Sequence, residues 1–409
     1  MFVCGSLAVN AQTSSNSPYT RYGLGELSDQ IFTNNAAMGG IGYGMRDNKH
    51  VNPMNPASYS SVDSLSFMFD AGFTLRSSNY KENNFKANAK NSSFDYLIMQ
   101  FRLHPRLGFA LGFTPYSNVG YNFTVVDKVE GNEDVSIMNN INGKGGTQNI
   151  FAGLGFKVLQ NLSVGVNIGY LYGKQTYQVI GTFSNQADGT IKYDRRKINS
   201  YKLDLGVQYT QPLNKDQSIT LGFAYGLGHQ LNTTEQKGIQ VTDGDKYNQV
   251  NEDIFHDGYD LPHSFGLGIT YNYKKTLTLG IDYGLQKWSN SKYDNKDGMY
   301  KDRNRVAFGA EYIPNAMGRN YLQRVAYRAG AYYTSPYVKT SIGDGPKEYG
   351  VTAGFGFPLN LYQKKTVFSI TGQYARLKAS EGTLMEENRF MIKLGLTFND
   401  SWFMKWRVN

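Results

Sequence analysis

The chain has 409 residues, a formal net charge of +9, 14% aromatic residues and only 40% hydrophobic residues. A helical membrane protein needs runs of roughly 18 or more apolar residues, and no such run follows the first residues of this chain. The Lys and Arg residues are scattered and accompany no RNA- or DNA-binding motif, so the positive charge does not predict a nucleic-acid partner.

Residues 1–11 (MFVCGSLAVNA) predict the end of a secretory signal, because an apolar stretch leads to a small residue at the cleavage edge before Gln12. No Lys or Arg precedes that stretch, which indicates a truncated signal or an internal start. A lipidated Cys4 is a weak alternative, because Val3 precedes it where Gly, Ala or Ser is expected. Once the signal is removed, no cysteine remains for a disulfide or for thiol chemistry.

Residues 12–63 lack strand-like alternation and form a compact segment rich in Gly and Asn. A run of small residues at 36–42 (AAMGGIG) is followed by Asn52-Pro53 and by Asn55-Pro56-Ala57. Small side chains let a backbone pass close to a neighbouring wall, and Asn amides can satisfy buried carbonyls. The segment is too long for a simple terminus.

From residue 64 onward, apolar residues alternate with small or polar ones at a period of two, which sends successive side chains to opposite faces of a strand. In 162–173 (LSVGVNIGYLYG), Val164 and Val166 share one face, while Gly165 and Asn167 lie on the other. The same split recurs at 219–228, at 277–288, where Asp282 is on the polar face, and at 390–398. So many half-polar strands require lipid on their apolar side and predict a transmembrane β-barrel.

The alternation predicts about fourteen antiparallel strands within residues 64–399. We place them near 66–79, 94–104, 107–125, 147–158, 161–181, 199–212, 217–232, 262–273, 275–289, 303–313, 324–339, 347–359, 365–378 and 389–399. Short turns alternate with longer connections rich in Asn, Asp, Lys and Gly, among them 80–93, 128–146, 182–198 and 233–261. This pattern is typical of periplasmic turns and extracellular loops, and an even strand count leaves both ends in the periplasm.

Residues 400–409 form a short tail after the last predicted strand. Trp402, Phe403 and Trp406 stand there beside Lys405 and Arg407. This composition is typical of a periplasmic interfacial anchor, because aromatic side chains favour the headgroup level of a bilayer. A docking peptide for a periplasmic partner is the alternative.

Three segments of this barrel carry a likeness to a known family. The first is 36–48 (AAMGGIGYGMRDN), which leads to Asn55-Pro56-Ala57. The second is strand 3 at 108–125 (GFALGFTPYSNVGYNFTV), and the third is 261–268 (LPHSFGLG) at the start of strand 8. Together they resemble the FadL-type family of outer-membrane transporters for long-chain fatty acids and other hydrophobic compounds.

The resemblance implies that residues 12–63 form a hatch inside the barrel. Its motif residues are three glycines and the Asn-Pro-Ala sequence, namely Gly39, Gly40, Gly42, Asn55, Pro56 and Ala57. We expect Asn55-Pro56-Ala57 near the periplasmic mouth, just before strand 1. Two alternatives stay open: the segment is a periplasmic linker, or Asn-Pro simply starts a turn.

The resemblance also implies a kink in strand 3 that opens the barrel wall sideways, so that a hydrophobic ligand leaves into the bilayer. The gate residues would be Pro115, Ser117, Asn118 and Gly120. Pro115 has no N–H and is tolerated in strands only at edges, starts or bulges, while Gly120 permits unusual backbone dihedrals. The alternative is that Pro115 merely lies near an extracellular rim.

No catalytic, metal or cofactor site is predicted. The five histidines lack metal-ligand spacing, and the sequence from Asp243 departs from a calcium-binding loop at its sixth and twelfth positions, Asn248 and Ile254. The Gly-x-Gly pairs, such as Gly153 and Gly155, fall at period-two positions in strands and are small inward wall residues, not phosphate loops. Since no Ser/His/Asp constellation can be assigned, we expect the protein not to be an enzyme.

Two functions fit this architecture in the outer membrane of a Gram-negative bacterium. The leading hypothesis is passive uptake of a hydrophobic small molecule or lipid through a plugged barrel, by lateral diffusion at strand 3. The alternative is a non-transporting barrel subunit of a multiprotein machine for protein secretion or assembly, with outer-membrane or periplasmic protein partners. In both cases we expect the basic residues to face anionic lipid headgroups or lipopolysaccharide phosphates.

Overall fold

The computed structural model describes residues 15–401 except 65, 83, 130, 186–187, 244–245, 275, 341–342, 362–363 and 379–384. The predicted signal segment and the aromatic residues Trp402, Phe403 and Trp406 of the predicted tail lie outside the described residues. Within these bounds the chain forms a closed, antiparallel, fourteen-stranded β-barrel. The fold class predicted from the period-two alternation is confirmed.

The barrel strands are numbered in chain order. They are Ser66–Glu82 (β1), Phe85–His104 (β2), Leu107–Val129 (β3), Asn132–Lys157 (β4), Leu162–Phe183 (β5), Thr190–Pro212 (β6), Gln217–Gly226 (β7), Ser264–Tyr273 (β8), Leu277–Gln286 (β9), Arg303–Tyr312 (β10), Ala326–Thr334 (β11), Lys347–Leu361 (β12), Lys364–Lys378 (β13) and Glu386–Ser401 (β14). Each strand pairs with the next, and β1 pairs with β14 to close the barrel. Because periplasmic turns are short in outer-membrane barrels, we call the end that carries Ser66 and Ser401 the periplasmic end and the opposite end the extracellular end.

Several short helices and strands lie outside the fourteen barrel strands. Before β1 lie the 3-10 helices Pro18–Arg21 and Pro56–Ser61, the two-residue strand Glu26–Leu27 and the helical turn Thr33–Ala36. Elsewhere are the hairpin Thr233–Asp243/Lys246–His256, the paired strands His229–Gln230/Asp260–Leu261 and Lys339–Thr340/Gly343–Asp344, the 3-10 helix Trp288–Asn290 and the helical turn Tyr321–Arg324. None of the helices in the described part of the chain is long and apolar enough to cross a bilayer.

The two faces of the wall carry the side chains that the sequence predicts. Val164 on β5 and Leu279 on β9 are exposed on the outer surface. Asn167 and Asp282, on the same two strands, are only 3% and 4% exposed because they point into the filled interior. The predicted division between an apolar outer face and a polar inner face is confirmed, as is typical of transmembrane barrels.

The structure differs from the prediction on the extracellular side, where most residues assigned to long loops are strands. β2, β4 and β6 begin at Phe85, Asn132 and Thr190, well before the predicted positions. The hairpin 233–256 extends the wall by pairing with the outer half of β6, from Thr233 opposite Ile198 to Val241 opposite Thr190. Polar residues occupy most positions of these extensions, so the backbone ladder continues while the apolar–polar alternation ends.

Candidate functional site: the filled lumen and the gap between β2 and β3

The segment before β1 runs through the barrel interior. The Asn55 side chain donates to the carbonyl of Val207 on β6 at 3.1 Å, and the Gly39 N–H donates to Thr352 Oγ1 on β12 at 2.9 Å. Because β6 and β12 are far apart around the ring, the residues that reach both must lie inside it. Most of residues 15–62 are buried there.

The Asn-Pro-Ala motif lies near the periplasmic end. The Asn55 side chain accepts a hydrogen bond from the Ala57 N–H at 3.2 Å and so caps the helix Pro56–Ser61. Its amide nitrogen donates to the carbonyl of Tyr43 at 2.9 Å. Pro56 packs against Gly165, where a Cβ would lie 2.5 Å from the Pro56 carbonyl oxygen. This inward glycine therefore lets the motif lie directly on the wall.

The three motif glycines fit a tight turn against β9 and β10. Gly39 has φ +67° and Gly40 has φ +79°, values that favour glycine. A Cβ at Gly39 would also lie 2.6 Å from the Phe308 carbonyl oxygen. The Gly42 N–H donates to the buried Asp282 carboxylate at 2.5 Å, and the next N–H, that of Tyr43, donates to the same oxygen at 2.8 Å.

The wall has a gap between β2 and β3. These strands pair only from Leu97 opposite Phe113 to His104 opposite Leu107; beyond Phe113, the described residues of β3 have no partner in β2. The strand Glu26–Leu27 pairs there instead, with Asn118 and Ser117. A segment of the lumen therefore takes the place of the missing neighbour.

Hydrogen bonds on either side of this pairing also occupy the β3 edge. We call Glu26–Leu27 the sealing strand and residues 20–28 the sealing segment. The Ser28 N–H donates to the Tyr116 carbonyl at 2.9 Å. Thr20 Oγ1 accepts from the Gly120 N–H and donates to the Gly120 carbonyl, both at 3.1 Å. Residues 20–28 thus satisfy backbone groups along five residues of the β3 edge.

The interruption in β3 comes from Pro115. The pairing of β3 with β4 shifts register between Pro115 and Ser117, which marks a β-bulge. Ser117 is fully buried, and its hydroxyl donates to Thr147 Oγ1 at 3.0 Å. Gly120 continues the strand and is not among the described glycines with positive φ, so the expected unusual backbone at Gly120 is not what interrupts β3.

A buried ionic network fixes the sealing strand to the barrel seam. Glu26 accepts hydrogen bonds from Arg76 on β1 at 2.9 Å and from Arg389 on β14 at 2.8 Å. Arg389 also donates to Glu387 at 2.6 Å, and Glu387 accepts from the Ser17 hydroxyl at 2.7 Å. Two guanidinium groups and two carboxylates balance one another; Arg389 and Glu387 are buried, while the Glu26 side chain is partly exposed.

An aromatic cluster covers the extracellular end of the lumen. Its buried residues are Leu24, Leu171, Ile198, Leu231, Tyr259, Leu261, Trp288, Tyr300, Tyr337 and Val338. The Tyr337 hydroxyl donates to the Gly25 carbonyl, which joins this cap to the sealing segment. The Arg196 guanidinium stacks on Tyr259, 3.9 Å from the ring centroid, and pairs with Glu235 of the hairpin at 3.0 Å.

One cavity lies in the barrel interior against the segment before β1. A cavity of about 120 Å³ beside Tyr43 and Tyr116 is lined partly by the charged residues Asp29, Lys202 and Arg303. Ligand pockets usually measure about 300–1,000 Å³ and are mostly apolar. Among the described residues, no group of three or more His, Cys, Asp or Glu side chains is placed to hold a metal ion.

Pro115, Ser117, Asn118 and Gly120, the residues predicted from the sequence for the gate, lie together on β3. The contacts that close the gap were not predicted: the Glu26–Leu27 strand, the Arg76–Arg389–Glu387 network and the aromatic cap. The available signal was weak: charged residues at inward positions of β1 and β14, and a single glutamate, Glu26, within the Gly-rich segment.

These features define an outer-membrane-type β-barrel with a FadL-like fold. The Pseudomonas putida toluene transporter TodX matches with a TM-score of 0.62 at 12% identity, over 93% of this chain and 100% of that chain. A FadL homologue of Pseudomonas aeruginosa gives 0.61 at 12% identity, over 92% and 100%. The Ralstonia pickettii toluene transporter TbuX gives 0.58 at 14% identity, over 91% and 98%. At such identities the likeness concerns the fold, and these neighbours are channels rather than enzymes.

Comparison of the sequence with family models shows the family. A family model described as BamG matches residues 1–409, so the chain belongs to the BamG family. No curated protein sequence matches it significantly. The FadL resemblance predicted from the sequence is therefore confirmed at the level of the fold, while the family itself is a different one.

Proposed function

We propose that the protein is a sealed barrel in the outer membrane of a Gram-negative bacterium and a non-transporting subunit of a multiprotein machine. Residues 15–62 act in it as a hatch that is part of the wall. The BamG family name supports a role in an outer-membrane assembly machine, the second of the two functions predicted from the sequence.

The closed gap between β2 and β3 carries this proposal. To open it, residues 20–28 must release the β3 edge, and each unsatisfied backbone group in lipid costs several kcal/mol. Glu26 must also leave Arg76 and Arg389, and removing one partner from a buried ion pair costs about 3–5 kcal/mol. In a passive channel the binding of the ligand would have to offset these costs, whereas a scaffold does not require the movement.

Passive uptake of a hydrophobic small molecule is the second candidate. It is favoured by the fold of the toluene transporters and by the gap itself, which lies where a lateral exit is expected. This function requires residues 20–28 to leave β3 when a ligand arrives. The two candidates therefore differ in whether the sealing strand moves.

A disulfide between the sealing strand and β3 distinguishes the two candidate functions. Leu27 and Ser117 are directly opposite in register, so Leu27→Cys with Ser117→Cys, in a Cys4→Ser background, should lock the gap. A control pair, Ile239→Cys with Asn251→Cys, lies opposite in the extracellular hairpin and leaves the gap unchanged. Uptake of labelled toluene and recovery of a complex in mild detergent are then measured for both pairs, oxidised and reduced.

We expect negligible uptake in every form and the same protein complex from the locked and control variants. Uptake that stops on oxidation of the Leu27/Ser117 pair, resumes on reduction and is unaffected in the hairpin pair would overturn the scaffold proposal. A stable complex lost only on locking would also contradict it, because a scaffold does not need the gap to open.

A further inference from the structure

A groove crosses the outer surface where β12, β13, β14 and β1 lie side by side. Its volume is about 750 Å³, within the range of ligand pockets. Ala353 on β12 and Gly372 on β13 are neighbours in register and form its floor. A Cβ on Gly372 would come no closer than 3.9 Å to its nearest neighbour, the Ala353 carbonyl oxygen. The depression therefore results from small residues on a face where bulky ones prevail.

Large apolar side chains surround this floor. The exposed walls are Leu75, Val351, Tyr374, Phe390 and Ile392. Ile392 is opposite both Gly372 and Leu75, and Phe390 is opposite Tyr374, so they share one face of the sheet. This face is in the membrane-spanning part of the wall, where an acyl chain is the available occupant.

Basic residues lie directly above the groove, toward the extracellular end. Lys90 on β2 lines the groove itself. Arg376 on β13 is four residues beyond Gly372, about 13 Å along the strand. Further basic side chains on the same face are Lys81, Lys86, Lys347 and Lys378, with Lys81 opposite Lys86 and Lys347 opposite Lys378. Glu386 lies among them and accepts from Arg376 at 3.1 Å, so positive charge prevails.

We propose that this surface binds one lipopolysaccharide molecule of the outer leaflet. An acyl chain of its lipid A occupies the groove, and the lipid A phosphates meet Lys90, Lys86 and Arg376. The order of the features along the membrane normal, apolar below and cationic above, matches an amphiphile whose anionic groups face outward. A zwitterionic phospholipid fills the groove equally well but offers less charge to the basic rim. The site is on the outer wall and is independent of whether the lumen transports anything.

Native mass spectrometry of the intact barrel, purified from outer membranes and delipidated stepwise with detergent, tests this site. Gly372→Phe fills the groove, and Lys86→Glu with Lys90→Glu reverses the charge of the rim. The matched controls are Ala152→Phe, on the exposed outer face of β4, and Lys174→Glu with Lys197→Glu, an exposed pair in register on β5 and β6. Heat-dependent gel mobility shows that each variant is folded.

We expect wild type and both controls to retain about one lipopolysaccharide per barrel after phospholipid is removed. Retention should fall at least tenfold in Gly372→Phe and in the double charge reversal. Equal retention by all five proteins, or retention of phospholipid in place of lipopolysaccharide, would overturn the proposal. So would a co-purifying protein that is lost from the two groove variants while lipopolysaccharide stays bound.

Discussion

At the residue scale, Asp282 holds the glycine turn of the segment that precedes β1. One of its carboxylate oxygens receives two successive N–H groups, from Gly42 and Tyr43. An Asn side chain at this position would keep an acceptor oxygen but lose the charge, and hydrogen bonds to charged groups contribute about 1.5–3 kcal/mol.

We therefore expect Asp282→Asn to destabilise the folded barrel by about 2 kcal/mol, measured as a lower urea midpoint for the heat-dependent gel shift. Asp216→Asn is the control, because Asp216 is exposed in a turn and faces Lys274 at 3.7 Å. A midpoint for Asp282→Asn that equals the control would show that the carboxylate does not hold the turn.

Glu26 is the residue on which the seal depends most. Glu26→Gln removes the carboxylate that pairs with Arg76 and Arg389. Removing one partner of a fully buried ion pair lowers the free energy of unfolding by about 3–5 kcal/mol. We expect faster hydrogen exchange at the Ser28 and Gly120 amides, since both belong to the seal.

The matched variant for this test is Glu386→Gln, which breaks an exposed pair with Arg376; such pairs contribute about 0–1 kcal/mol. Its exchange at the same two amides should equal that of wild type. Unchanged exchange in Glu26→Gln would mean that backbone pairing alone holds the strand.

At the scale of elements, the Glu235 carboxylate links the hairpin 233–256 to Arg196 and Tyr259 of the cap. Burial alone would raise the pKa of Glu235, but the Arg196 charge and hydrogen bonds from Tyr259 and Lys237 hold that pKa below its usual value. A lowered pKa means that the charged form stabilises the fold above the pKa of the unfolded chain, about 4.3, and that this stability is lost as pH falls through the folded-state pKa.

We predict that acidification below about pH 4 loosens the cap. Trp288 is fully buried in it, so its fluorescence should shift to the red reversibly, in a Trp402→Phe, Trp406→Phe background. Glu235→Gln should show the shifted emission already at pH 7. If the emission of this background protein stayed unchanged on acidification while Glu235→Gln behaved in the same way, Glu235 would not hold the cap.

The sequence predicts the strands that alternate between apolar and polar residues, and it does not predict the elements that lack this alternation. β5 and β9 alternate because one face meets lipid and the other meets the lumen, so their bounds within the membrane follow from residue type. The outer part of β4, from Asn132, has water on both faces and carries no such pattern. The strand Glu26–Leu27 is too short to have a period at all, and its position depends on a bulge ninety residues away at Pro115.

At the scale of the whole molecule, residues 15–62, which we propose form the hatch, should behave as one unit with the wall. They are bound to β3, β6, β9, β12 and β14, so we expect proteolysis at the exposed Lys49 and the gel shift of the barrel to follow the same urea curve. A hatch that becomes sensitive to protease at lower urea, with the barrel still folded, would be an independent plug and would favour transport.

Ser17 binds Glu387, 370 positions later in the chain, while Thr20 binds the backbone of β3. The segment that precedes the barrel therefore completes its contacts only after the last strand is in place. Such a high contact order makes folding slow, because the ends of a very long loop must meet before their contacts give any stability. Until residues 20–28 reach β3, its exposed edge is open to pairing with other chains, so we expect mispairing of this barrel to be most frequent before that segment is in place.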